Sequence, residues 1–299
     1  MRRHELWMLI PDNASAIVWA RSKGLLSRSE NCPTCSSPMR LSSHTVSDSL
    51  VWRCRKSIRN VSYHDTKVSI RRGSIFEGST LPIRTILLCL YEWAVMTTVE
   101  ATSYEQSLDE DTVSKWFKTF RTITSRLIET RLNVQLGGPE DIIEIDECQI
   151  GRRKHHRGRE RNEVWLLGMI VRGSNPPSLF IQDVKKRNRE TLEPIIQRHV
   201  NRCSRIFTDG WRAYRRLNNL GFRHSVVVHE RNFVAPEDPN VHTQNVENLW
   251  RCLRRFLNRR CAYRRKDLMS YVREFMFRKV FIDPFETLIS AISEQTMNE

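Results

Sequence analysis

The second half of the chain alternates short apolar segments with amphipathic ones, and this order limits the folds open to it. A Gly-Gly-Pro break at 137–139 separates it from the segment before. The pattern after the break predicts strands at 142–146, 164–171, 179–184, 204–208 and 222–228, and helices at 191–200, 211–220, 245–259 and 266–279. Elements in this order are typical of a mixed α/β sheet covered by helices.

The segment ahead of the break, residues 79–135, has helical periodicity. Its acidic run at 109–111 favours a helix start, because acids stabilise the positive end of the helix dipole. On that last helix Lys115, Lys118 and Arg121 lie off the predicted apolar face. Three helices of which the third is basic are typical of a DNA-binding helix-turn-helix, and a plain helical domain remains the alternative.

The first 78 residues contain a metal-binding pattern. Cys32 and Cys35 form a Cys-Pro-Thr-Cys knuckle, and Cys54 follows where a second knuckle should lie. His64 is the best fourth ligand, because imidazole can replace a thiolate on tetrahedral zinc. The pattern therefore predicts a zinc-ribbon-like segment, with a metal-free segment that carries free thiols as the alternative.

The chain is strongly basic. It has 49 Lys and Arg against 34 Asp and Glu, a net charge of +15. Such an excess attracts polyanions, so nucleic acid is the expected partner, and a merely basic protein is the alternative. No run approaches the ~18 apolar residues of a membrane span, so no membrane partner is expected. Eight scattered cysteines with a single CxxC pair indicate a reducing compartment.

Three acidic residues fall at the ends of predicted elements. Asp146 ends the first strand after the break, Asp209 follows the fourth strand, and Glu247 lies in the first turn of the helix that begins near Asn245. Carboxylates gathered in this way can hold two divalent cations, for which Mg²⁺ is the natural choice. Two such ions can activate a water or a 3′-hydroxyl against a phosphodiester. Ordinary helix caps and a chance arrangement of acids are the alternative.

Basic residues flank these acids. On the helix from 245, Arg251 and Arg254 share a face with Glu247, where they can clamp DNA phosphates or simply face solvent. A loop between the first two strands can bind the DNA backbone or form a flexible charged loop. Its basic residues are Arg152, Arg153, Lys154, Arg157 and Arg159. His242 can orient a water or phosphate, or make a structural hydrogen bond.

At these residues the sequence resembles the Merlin-type DDE transposases, a eukaryotic group related to bacterial insertion-sequence transposases with an ISXO-like catalytic domain. The likeness covers roughly residues 30–280. Its blocks include Glu144-Ile145-Asp146-Glu147, Gly151-Arg152-Arg153-Lys154, Trp165-Leu166-Leu167-Gly168, Thr208-Asp209-Gly210-Trp211, His242-Thr243-Gln244-Asn245-Val246-Glu247 and Leu249-Trp250. The order of the blocks is more specific than any single motif.

The resemblance implies a ribonuclease-H-like mixed sheet flanked by helices, in which Asp146, Asp209 and Glu247 form the catalytic triad. It implies three regions: a zinc-ribbon-like N-terminal region over 1–78, a helical DNA-binding region over 79–135 and a catalytic domain over 136–285. His64 stands where the last cysteine of the family's ribbon is expected. This departure concerns the ribbon and leaves the catalytic residues unaffected.

The function implied is that of a Mg²⁺- or Mn²⁺-dependent transposase that cuts transposon ends and joins them to target DNA. Its expected partners are double-stranded DNA, as terminal inverted repeats and as target, and further copies of the chain in a homodimer or higher oligomer. The eukaryotic resemblance implies a nuclear location. One alternative is a non-catalytic, transposase-derived DNA-binding protein, and another is a nuclease that cuts without transferring strands.

Overall fold

The computed structural model describes residues 1–45, 48–58, 62–131, 135–151, 164–227, 242–260, 262 and 267–298. The chain divides into two compact units, Met1–Ile123 with Asp283–Glu299, and Thr124–Ile282. Within the described ranges, no helix is long and apolar enough to cross a lipid bilayer.

The helices are α1 (Arg3–Leu9), α2 (Asn13–Ser22), α3 (Ile83–Ala94), α4 (Val99–Gln106), α5 (Glu110–Arg131), α6 (Arg189–His199), α7 (Gln244–Arg259), α8 (Leu268–Val280) and α9 (Pro284–Asn298). The strands are β1 (Arg40–Ser43), β2 (Leu50–Ile58), β3 (Ser62–Ser69), β4 (Ile142–Ile150), β5 (Val164–Val171), β6 (Leu179–Val184), β7 (Arg205–Asp209) and β8 (Arg223–Val227).

The first unit surrounds α3, whose side chains are buried around almost the whole helix. The C-terminal helix α9, which the sequence pattern did not predict, packs against it. The ring of Phe285 lies edge-on to Tyr91, with centroids 5.4 Å apart, and near Trp19 at 6.4 Å. These aromatic contacts join the two ends of the chain in one unit.

The third helix of the predicted helical segment, α5, corrects one expectation. Arg121 was predicted off the apolar face, yet only 6% of it is exposed. It lies four residues after buried Phe117 and three before buried Thr124, so it belongs to the same helical stripe. The buried face of α5 is therefore wider than its apolar residues indicate, whereas Lys115 and Lys118 are exposed as predicted.

The second unit is built on a five-stranded sheet with the order β6-β5-β4-β7-β8. The strands β6, β5 and β4 pair antiparallel, whereas β4, β7 and β8 run parallel. This confirms the expected fold class, a ribonuclease-H-like mixed sheet flanked by helices. The observed limits of β5 and β6 are those predicted from the sequence.

The two faces of β4 carry different helices. Ile143 and Ile145 point into the hydrophobic core that includes residues of α6. The side chains of Glu144, Asp146 and Cys148 point the other way, towards α7. Since successive side chains of a strand alternate between faces, this central strand separates an apolar layer from a polar one.

The predicted helix at 211–220 is wrong. Two short 3₁₀ turns, Arg212–Tyr214 and Asn218–Leu220, occupy the segment, and Gly221 ends it with a φ of 86°. Four residues that pack against the core recur every third position, at 211, 214, 217 and 220, and Ala213 is buried in the same core. That spacing matches three residues per turn, which is the period of a 3₁₀ helix.

Candidate active site and metal-binding cluster

Asp146 and Asp209 lie on adjacent parallel strands at the centre of the sheet. Ile145 of β4 pairs with Thr208 of β7, so each aspartate is the next residue on its strand. Opposite residues of a parallel pair face the same side of the sheet. The prediction that Asp146 ends its strand is wrong, because β4 continues to Ile150 by pairing with β5. The two aspartates are nevertheless neighbours, as predicted.

The surroundings of Asp146 disfavour a bare negative charge. Burial raises the pKa of Asp146 to about 7, and the nearby carboxylates of Glu147 and Asp209 act in the same direction. The indole N–H of Trp250 donates to Oδ2 of Asp146 at 3.0 Å and opposes this shift in part. A carboxylate held in this way gains from binding a proton or a cation.

Glu247 lies in the first turn of α7, as the sequence predicted. Its side chain is exposed, and the hydroxyl of Thr243 donates to its Oε1 at 3.3 Å. The predicted faces of this helix are confirmed. Its apolar residues Val246, Leu249, Trp250 and Leu253 are buried, and Glu247, Arg251 and Arg254 are exposed.

Glu144 fixes the start of that helix. Its fully buried carboxylate accepts hydrogen bonds from the backbone N–H groups of Asn245, at 2.8 Å, and Val246, at 3.1 Å. It also forms an ion pair with Arg172, whose Nε lies 2.9 Å from Oε1. A carboxylate at the positive end of a helix dipole is electrostatically favourable. A strand residue two positions before Asp146 thus positions the helix that carries Glu247.

Glu147 anchors the loop after Asp209 on the opposite face of β4. Its Oε1 accepts the hydroxyl of Tyr214 at 2.7 Å, and its Oε2 pairs with Arg187 at 3.1 Å. The guanidinium of Arg187 lies between the rings of Trp165 and Trp211, 4.4 and 4.7 Å from their centroids. The sequence does not predict this group, because Trp165, Arg187 and Trp211 lie on separate elements and meet only in the folded sheet.

The predicted basic residues fall into two groups. Arg251 donates to the side-chain oxygen of Asn248 at 2.8 Å, and Arg254 reaches Sγ of Cys148 at 2.7 Å. The loop residues Arg152, Arg153, Lys154, Arg157 and Arg159 lie outside the described residues. His242 lies 3.3 Å from Arg172 through Nδ1, and its carbonyl accepts from the same guanidinium at 2.8 Å, which favours the structural reading of this histidine.

The N-terminal cysteines and His64 converge as the zinc pattern predicted. The Nε2 atom of His64 lies 3.6 Å from Sγ of Cys32 and 3.3 Å from Sγ of Cys54. The Cys35 and Cys54 sulfurs are 3.7 Å apart. Zinc bonds of about 2.0–2.3 Å give a tetrahedron with edges of about 3.3–3.8 Å, so these distances fit one zinc ion.

The two candidate metal sites differ in compactness. The four ligand atoms of the cysteine–histidine cluster all lie within 4.8 Å of one another, and no other group of three or more Cys, His, Asp or Glu within the described ranges is as close. The carboxylates of Asp146, Asp209 and Glu247 are therefore more widely spaced. Their oxygen donors and the raised pKa of Asp146 suit hard divalent cations.

One comparison with known proteins finds a match within the second unit. The family model described as the ISXO2-like transposase domain matches residues 135–279. No curated protein matches the chain significantly.

Two solved structures share a weak likeness. The catalytic core domain of BIV integrase has a TM-score of 0.33 at 15% identity, over 53% of this chain and 98% of that one. A chain of the simian T-cell lymphotropic virus intasome, solved in complex with the PP2A regulatory subunit B56 gamma, has a TM-score of 0.31 at 14% identity. The match covers 62% of this chain and 66% of that one.

Proposed function

We propose that the protein is a DDE transposase that cuts transposon ends and joins them to target DNA, because residues 135–279 match the ISXO2-like transposase domain. The observation that carries the proposal is the adjacency of Asp146 and Asp209 on paired parallel strands, beneath the helix that bears Glu247. These three carboxylates are the catalytic residues that we propose.

Asp146, Asp209 and Glu247 would hold Mg²⁺ or Mn²⁺, which supplies the charge that activates the attacking oxygen and stabilises the leaving one. In the cutting step a water oxygen bonds to phosphorus, the bond to the 3′ oxygen breaks, and that oxygen takes a proton. In the joining step the freed 3′-hydroxyl attacks a target phosphodiester and releases the target's own 3′-hydroxyl. Of the two oxygens of Asp146, Oδ2 accepts the N–H of Trp250.

The exposed arginines of α7 suit DNA phosphates. Arg251 and Arg254 lie one and two turns after Glu247 on the same exposed face. The proposal extends to Arg152, Arg153, Lys154, Arg157 and Arg159 by their charge alone. If Arg251 and Arg254 contact phosphates, their replacement by alanine weakens binding to all duplexes alike and reduces the salt dependence of binding.

The N-terminal cluster is proposed to hold one structural zinc ion through Cys32, Cys35, Cys54 and His64. Support comes from the tetrahedral spacing of the four ligand atoms and from the small amount of apolar material in the segment. The division at 78 and 135 into ribbon, helical and catalytic regions remains a proposal, as do the nuclear location and the assembly of two or more chains around paired DNA ends.

A cleavage assay on terminal-repeat duplexes in Mg²⁺ or Mn²⁺ tests the function. Asp146→Asn and Glu247→Gln should abolish cutting, whereas Asp183→Asn, which alters an exposed carboxyl on β6, should not. Unchanged metal-dependent cutting in Asp146→Asn or Glu247→Gln would reject the assignment. Specific binding without nicking by the natural chain would favour a non-catalytic DNA-binding protein. Cutting without joining of pre-cut ends would favour a nuclease.

A further inference from the structure

Trp250 contacts the proposed catalytic residue Asp146 directly, although Trp250 is not itself one of the proposed catalytic residues. Its indole N–H donates to Oδ2 of Asp146 at 3.0 Å, and only 3% of the residue is exposed. An indole N–H is a donor only, so it cannot compete with the carboxylate for a cation. The bond leaves Oδ1 of Asp146 without this donor and limits rotation of the carboxylate.

The neighbouring strand β5 has a glycine at the position where the Trp250 ring packs. Gly168 of β5 pairs with Asp146, and a Cβ on this glycine would lie 2.4 Å from two atoms of the Trp250 ring. A glycine in a strand interior usually weakens the strand, and it often marks a close approach by another group. Here the group that approaches is the indole, which lies against the backbone of Gly168 beside Asp146.

The same ring belongs to the helix that carries Glu247. Trp250 follows Glu247 by three residues, so the two side chains are neighbours on α7. The helix start is fixed separately by Glu144, whose carboxylate accepts the N–H of Asn245 and Val246. Trp250 therefore packs between the second turn of α7 and the paired strands β4 and β5.

We propose that Trp250, seated against Gly168, is a positioning residue that orients Asp146 and holds α7 at the distance from β4 at which Asp146 and Glu247 can share divalent cations. The inference rests on the proposed function. Groups that hydrogen-bond to metal ligands typically change metal affinity by about 10- to 100-fold when they are removed. The loss of this one N–H is therefore expected to be measurable.

The test uses the full chain, saturated with zinc, and measures Mn²⁺ affinity by calorimetry together with the melting temperature. Trp250→Phe keeps a ring and removes the donor. We expect its Mn²⁺ affinity to fall about tenfold while its melting temperature stays well above that of the assay. Trp116→Phe, on α5 in the first unit, is the matched control and should bind Mn²⁺ normally.

Gly168→Ala tests the packing of the Trp250 ring against β5, because the alanine methyl group would displace the indole. We expect the same loss of Mn²⁺ affinity, and no further loss when Gly168→Ala is combined with Trp250→Phe. Gly138→Ala is its control, since a Cβ there would lie 3.7 Å from its nearest neighbour, an oxygen of Asp141. Additive losses in the double variant would contradict the coupling of ring and glycine.

Two outcomes overturn the inference: unchanged Mn²⁺ affinity in Trp250→Phe, or a loss that merely follows unfolding of that variant. Asp146→Asn separates this inference from the function itself. If Asp146→Asn binds Mn²⁺ and cuts DNA as the natural chain does, or if the natural chain binds no Mn²⁺, the proposed function fails. If Asp146→Asn loses both activities and Trp250→Phe loses neither, only the role of Trp250 is rejected.

Discussion

The carboxylate of Glu144 caps a helix from outside: its Oε2 accepts the backbone N–H of Asn245 at 2.8 Å. The residue in the N-cap position of α7, Thr243, makes no capping hydrogen bond through its own side chain. The helix that carries Glu247 therefore takes its cap from the central strand of the sheet, two residues before Asp146. Two of the three proposed catalytic residues are thus positioned by one short stretch of β4.

Replacement of Glu144 by Gln should destabilise the protein strongly. The change removes the ion pair between Glu144 and Arg172, whose side chain is 19% exposed, and removes the charge at the start of α7. Breaking such a buried pair costs about 3 kcal/mol in the free energy of unfolding. A urea titration of the full chain measures the change. Glu140→Gln is the control, because Glu140 is 71% exposed and its pairs with Arg205 and Arg223 should contribute less than about 1 kcal/mol.

The sheet could be predicted from the sequence because its strands are short apolar runs bounded by clear breaks. Even so, β4 extends beyond Asp146, because residues 147–150 pair with β5, and three of these four residues are buried. The segment after Asp209 was mistaken for a helix because spacings of three and of 3.6 residues are hard to tell apart over ten residues. The burial of Arg121 has no signal in the sequence, because a charged side chain ordinarily indicates an exposed position.

The proposed site could be predicted only in part. Residue type and spacing make Asp146, Asp209, Glu247 and the four proposed zinc ligands candidates, and the resemblance to DDE transposases singles out the three acids. Glu144, Glu147 and Trp250 act through contacts across 40 to 104 positions of the chain, with Arg187, Tyr214, Asn245 and Asp146. A sequence pattern carries no signal for such pairs, because which acid in Glu144-Ile145-Asp146-Glu147 faces which neighbour depends on the fold of the whole sheet.

Zinc content provides an independent prediction for the N-terminal cluster. Purified protein should contain one zinc per chain, and Cys54→Ser should lose it and unfold the three-stranded sheet of β1, β2 and β3, because too little apolar surface remains to hold that segment. His64→Cys should retain zinc, since a thiolate can take the place of the imidazole. Metal analysis and circular dichroism measure both effects. Cys203→Ser, an exposed cysteine, is the control, and an equal loss of zinc in that variant would exclude the assigned ligands.

The stability of the metal-free protein should fall as the pH rises towards 7, because Asp146 loses a proton. Burial raises the pKa of Asp146 to about 7, so the folded protein binds this proton more tightly than the unfolded chain, in which the pKa is about 4. This contribution is complete below about pH 4 and is lost as the pH passes through about 7.

Asp146→Asn should therefore stabilise the metal-free protein at pH 8 by up to about 4 kcal/mol and have little effect at pH 4. Melting temperatures at the two values of pH test this, with the exposed Asp183→Asn as control. In the natural protein Mn²⁺ affinity should rise with pH up to about 7, because the cation competes with the proton. Equal effects of Asp146→Asn at both values of pH would contradict the assigned pKa.

Loss of the Tyr214 hydroxyl should destabilise the loop that follows Asp209. The phenol is almost fully buried and donates to Oε1 of Glu147 at 2.7 Å, so Tyr214→Phe leaves a buried carboxylate with one donor fewer. Hydrogen bonds to charged groups contribute about 1.5–3 kcal/mol, and we expect a loss of unfolding free energy in that range. The size of this loss should depend on pH. Burial raises the pKa of Glu147 and the hydrogen bond from Tyr214 lowers it, so Tyr214→Phe should raise the pKa of Glu147 further. The loss of unfolding free energy should accordingly be greater at pH 8, where Glu147 is charged, than in acid. Urea titrations measure this difference. The control is Tyr104→Phe, because Tyr104 is 86% exposed. Equal stabilities of the two variants at pH 8 would show that the hydrogen bond to Glu147 contributes nothing.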